Sequence, residues 1–258
     1  MDTTILYQLL VGIFISAAAS LIGVFAILKR MSLVGDALSH VALPGIAIAL
    51  FFHVNPFLGA LSFLFVSIVG IWFLEYYSNL SIDTLVGVFF TASLALGSLL
   101  IPEFELLDAL FGDISNLNLN DVIISVSLSI LLMAILVAIH KKLALNMVSQ
   151  ELASSIGIKS KQLEFIYLMM FALGVALGIK FVGALLMGAL IIIPAAAAKN
   201  VARSLHGFML LSVIFGSSLA VAGVYVSAVF GYPPGPIFIL SGTVLFILSL
   251  AARGFLRR

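Results

Sequence analysis

Met31-Ser32-Leu33-Val34-Gly35-Asp36-Ala37-Leu38-Ser39-His40-Val41-Ala42-Leu43-Pro44-Gly45-Ile46-Ala47-Ile48-Ala49-Leu50-Phe51-Phe52 is the stretch that decides the fold. It is long and apolar enough to cross a lipid core as a helix, which takes about 20 residues. Yet it holds an acid and an imidazole four positions apart, and a proline one turn later. Ionisable groups are costly inside a membrane, and by default they mark a substrate or ion path.

The rest of the chain lives in the same solvent. Hydrophobic residues make up 63% and charged residues 9%, with a mean hydropathy of +1.31. Soluble domains carry about 25% charged residues, so lipid must solvate most of this chain. A formal net charge of +1 argues against a nucleic-acid partner, which needs clustered Lys and Arg. The absence of cysteine removes disulfides, thiolate metal sites and cysteine nucleophiles. Met1-Asp2-Thr3-Thr4 lacks the basic start of a secretory signal, so the apolar run after it reads as a retained transmembrane helix.

Outward from residues 32–52, apolar spans are expected near 5–28, 57–75, 84–101, 122–140, 164–179, 181–198, 208–230 and 236–252. That predicts an all-α polytopic membrane protein of about eight or nine helices. Lys180 and Gly183 interrupt 164–198, so an eight-helix version with a re-entrant piece stays open. One membrane domain is expected over 1–258, with a longest cytoplasmic connection at about 141–163. Lys29, Arg30, Lys141, Lys142, Lys159, Lys161, Lys199, Arg203 and Arg253 all fall on one side, and Lys180 alone on the other. The basic side is cytoplasmic, which predicts an outer N-terminus and a cytoplasmic C-terminus. Glu103, Glu105, Asp108, Asp113 and Asp121 lie in the external loop after the fourth span.

Asp36 and His40, at i and i+4, share a helix face about 6 Å apart along the axis. Pro44 has no N–H to give the His40 carbonyl, and so bends the helix beside the pair. Carboxylate plus imidazole suits zinc, manganese or ferrous iron, but two ligands leave a shell that water, carbonyls or a second subunit must complete. A structural Asp–His hydrogen bond or a proton relay fits the same spacing. His53, His140 and His206 fall at span ends, where interface placement explains them. No GxxxxGK[ST], HExxH or GxSxG motif is present, so the chain is expected not to be an enzyme by itself.

Lys29 through Gly45 resembles the signature of the zinc/manganese/iron ABC transporter permeases, the ABC-3 type membrane subunits of metal importers. Phe111-Gly112-Asp113-Ile114, Gln150-Glu151-Leu152-Ala153 with Gly157-Ile158, and Val182-Gly183-Ala184-Leu185-Leu186 through Ile193-Pro194-Ala195-Ala196 resemble further family segments, in family order. The resemblance implies a type II ABC importer-like permease in the cell membrane. It would work as a homodimer with two ABC ATPase subunits and an extracytoplasmic metal-binding protein.

Asp36 and His40 would line the route of a transported zinc, manganese or iron ion, with no permanently bound cofactor. Ser149 and Gly157 cap a short helix whose Gln150, Glu151, Leu152 and Ala153 would couple to the ATPase. A plain connecting helix is the alternative there. Asp113 would serve cation entry, docking of the binding protein, or a helix cap. A cation channel, a secondary metal carrier and a permease for chelated metal are the competing functions.

Overall fold

The computed structural model describes residues 3–78, 80–100 and 117–256. Among them are eleven α-helices and no strand: α1 (Thr3–Leu28), α2 (Val34–Val41), α3 (Leu43–Phe51), α4 (Pro56–Ser78), α5 (Ile82–Leu100), α6 (Leu119–Val148), α7 (Gln150–Ser155), α8 (Ser160–Val182), α9 (Met187–Val201), α10 (Leu205–Phe230) and α11 (Pro234–Leu256). Eight stretches of the described residues are long and apolar enough to cross a membrane, with α2 and α3 together forming one of them.

The small residues of α1 place it at the centre, packed by α6, α8, α9 and α10. A Cβ added at Gly23 would meet the Ile191 carbonyl oxygen at 2.0 Å, so α1 and α9 touch backbone to backbone. Tyr167 donates its hydroxyl to the Ile22 carbonyl (3.2 Å), and Ser212 donates to the Ser20 carbonyl (2.8 Å). In lipid, where apolar burial gives helices little reason to associate, close approach and such hydrogen bonds supply the attraction. A second group holds α2 to α5. Its α3 and α4 cross at Gly45 and Gly59, where each glycine faces the other's carbonyl. α2 joins the two groups, lying against α5 on one side and α8 and α9 on the other.

Three expectations shift. The second span is two helices rather than one bent one, because Pro44 occupies the first turn of α3 and Ala42 carries the break. The fifth span runs as a single 30-residue helix to Val148, so Lys141 and Lys142 lie on α6 rather than in a loop. The segment expected at 181–198 starts later, at Met187. Gly183 is the reason: at φ +80° it takes a conformation that glycine reaches without strain, and it ends α8. With 15 residues, about 22 Å, α9 is shorter than the hydrocarbon core of about 30 Å. It begins level with Asp36, against which Gly188 packs.

Lys180, the one basic residue that the charge pattern sets apart from the others, pairs with Asp121 at 2.6 Å. Asp121 also closes the α6 capping box with Asn118.

Candidate functional site

Asp36 stands in the first turn of α2 and His40 in its last, both half-buried. The polar atoms around them are already committed. Ser39, fully buried between them in sequence, has its hydroxyl 2.6 Å from the Ala184 carbonyl and 2.7 Å from the Asp36 carbonyl. It thereby ties α2 to the turn between α8 and α9. Gly183 and Ala184 of that turn are buried, whereas Leu185 is exposed.

The two candidate side chains differ from Ser39 in this respect. Among the described residues, the Asp36 carboxylate makes no hydrogen bond or ion pair. His40 Nδ1 is buried without a partner, and its ring rests 5.5 Å from that of Phe90 on α5. A structural Asp–His bond between packed helices, one of the readings that spacing allowed, is therefore not what the pair forms. A buried imidazole nitrogen without a partner costs stability and calls for an explanation such as an absent ligand. No third His, Asp or Glu joins the pair among the described residues. Two ligands from one chain would fill only part of a metal ion's shell.

Gly188 backs this site. A Cβ there would lie 2.7 Å from Asp36 Cβ and 2.9 Å from its Cα. Gly188→Val is expected to push α9 away from α2 at a cost of about 1–3 kcal/mol and to displace Asp36. Thermal unfolding in detergent should show a lowered Tm; a parent-like value would disprove this contact.

At the end of α1, Lys29 pairs with the buried Glu164 of α8. Burial lowers the Lys29 ammonium to about 8, with Glu75 and Asp83 pulling it back up.

α7 is capped as its sequence suggests. Ser149 accepts from the Leu152 N–H, while Gly157, at φ +81°, lets the Gly157 and Ile158 N–H groups reach the Ser154 and Ala153 carbonyls, each at 3.0 Å. Ala153 is buried against the bundle, whereas Gln150 and Glu151 are exposed. Leu152 is 59% and Ile156 66% exposed. Asp113 lies outside the described residues, as does the Phe111–Ile114 motif. Residue spacing had no means of finding Ser39's reach to Ala184, the Phe90 contact or the Gly188 backing, since each joins segments far apart in the chain.

This bundle has known relatives. The sequence profile of the ABC 3 transport family matches residues 1–253. The chain belongs to the ABC 3 transport family. This ABC 3 permease is 34% identical over 250 residues to ZnuB, the high-affinity zinc uptake system membrane protein of Haemophilus influenzae, covering 95% of this chain and 96% of that one. It is 32% identical over 245 residues to ScaB, the manganese import system permease protein of Streptococcus gordonii, covering 93% and 88%. Its fold matches PsaBC from Streptococcus pneumoniae, solved in complex with Fab, with a TM-score of 0.86, 28% identity and coverage of 96% of this chain and 91% of that one. The expected all-helical, multi-span permease architecture is thus the observed one.

Proposed function

We propose that this ABC 3 permease carries divalent transition-metal ions (zinc, manganese or iron) across the cell membrane as one half of an ATP-driven importer. The observation that carries this reading is the pair Asp36 and His40, one turn apart in an apolar spanning stretch, with no hydrogen bond to the Asp36 carboxylate or to His40 Nδ1 among the described residues. Relatives named for zinc uptake and manganese import support the cargo class. Two copies would face each other so that a second pair, or water and carbonyls, completes the shell of a passing ion. The basic residues put the α6–α7 end in the cytoplasm and the N-terminus outside. There, exposed Leu152 and Ile156 offer an apolar edge to an ATPase subunit, and Ala153 seats α7 on the bundle. On the outer side, an extracytoplasmic binding protein would hand over the metal, with Asp113 in the loop that meets it. Zinc, manganese and ferrous iron accept the same two ligand types, so the cargo is defined as a class.

The test is uptake of radiolabelled zinc or manganese in cells holding the whole transporter, with its ATPase either intact or carrying a disabled nucleotide site. Uptake should vanish in the second strain. Uptake that persists there would overturn the ATP-driven reading in favour of a channel or gradient-driven carrier.

A further inference from the structure

His140 and His206 sit at span ends and invite the reading of ordinary interface residues, but the fold brings them together. Their ring centres lie 5.1 Å apart with ring planes at 76°. His140 is near the end of α6, and His206 is in the first turn of α10. His140 Nδ1 lies 2.5 Å from the Val137 carbonyl oxygen. A carbonyl only accepts, so Nδ1 carries the proton and Nε2 keeps its lone pair. That Nε2 is buried and has no partner.

We infer that His140 and His206 form a second transition-metal site, separate from Asp36 and His40, at the α7 end of the bundle. Three features point to a metal. First, a metal-binding imidazole characteristically gives its other N–H to a backbone carbonyl, which fixes the tautomer and aims the free nitrogen. Second, two imidazoles on one tetrahedral zinc, with nitrogens about 2.0–2.1 Å from the metal, hold their ring centres about 5 Å apart. Third, an orphaned buried acceptor costs stability unless something fills it. Water would complete the shell. Lys141, Lys142 and Arg203 lie nearby in sequence and are exposed, and their charge weakens the site further. It therefore fills only when the metal is plentiful.

Position gives the site a consequence. α6 and α10 each pack along α1, and α6 leads through Ser149 straight into α7. A metal bridging the two histidines ties α6 to α10 and restrains the helix that carries α7. On the transport reading proposed above, cytoplasmic metal would slow further import. The site itself rests on geometry alone.

The test uses the full-length protein in detergent, titrated with Co2+ as an optical probe and with Zn2+ by equilibrium dialysis. His206 is exposed, so His206→Ala should fold; Asp36→Ala serves as the second variant. The parent and Asp36→Ala should each bind one Co2+ or Zn2+ per chain that His206→Ala does not, with a tetrahedral cobalt spectrum. An unchanged count and spectrum in His206→Ala would overturn the site, whatever Asp36→Ala does. In inside-out vesicles of the whole transporter, zinc on the α7 side should inhibit ATP hydrolysis several-fold in the parent and not in His206→Ala. Equal inhibition in both would overturn the feedback role while leaving the import reading intact.

Discussion

Asp36→Asn and His40→Ala in the assembled transporter should each lower metal uptake by more than about 100-fold, since changes even one shell out from a metal cost about 10- to 100-fold. Assembly should survive. Neither side chain bonds to a neighbouring helix among the described residues, and the His40 ring lies beside that of Phe90. Removing either one takes away a ligand without cutting a structural tie. His40→Ala relieves the lining of a buried nitrogen that has nothing to bond, so its Tm should equal or slightly exceed the parent's. Membrane-fraction abundance, Tm and uptake of radiolabelled zinc and manganese check these outcomes together. Two variants that fold and transport normally would remove the pair from the route. Two that fail to accumulate would recast it as structural.

The second large effect belongs to α7. Leu152→Asp combined with Ile156→Asp should release the ATPase subunits. Burying a leucine or isoleucine contributes about 1.5–3 kcal/mol each, so losing both costs about 3–6 kcal/mol, more than about 100-fold in affinity. Burying the new carboxylates adds to that. Both positions are exposed in the chain, so the permease should fold unchanged while co-purified ATPase and uptake fall together. Ala153 separates docking from folding: it is buried against the bundle, and a bulky residue there should lower Tm as well. Retention of the ATPase by the double variant would place the docking surface elsewhere.

Much of this was readable in the chain because lipid imposes strict local rules. Each spanning helix must bond its own backbone, so apolar runs and their interruptions mark out the architecture directly. Pro44 announces the break in the second span, and Ser149 with Gly157 announces both ends of α7, since caps and turns depend on residues a few positions apart. Pairing across the bundle is another matter. Ser39 reaches Ala184, Lys29 reaches Glu164, and His140 reaches His206; each depends on how helices cross, which no local pattern encodes. The extension of α6 to Val148 was missed for a related reason: Lys141 and Lys142 signal the membrane surface, not the end of a helix. Lys180 looked anomalous only until Asp121 was found beside it.

Protein synthesis delivers α1 to the membrane before the helices that enclose it, yet α1 is the most buried of the candidate spans among the described residues. Its neighbours α6, α8, α9 and α10 are all translated later, and α10 does not begin until Leu205. Until then, its narrow glycine- and serine-lined flank borders acyl chains, and the Lys29 ammonium waits for Glu164. A nascent chain that stops before α8 would leave Glu75 and Asp83 to offset that charge without its ion-pair partner, so truncation leaves a defect at the end of α1.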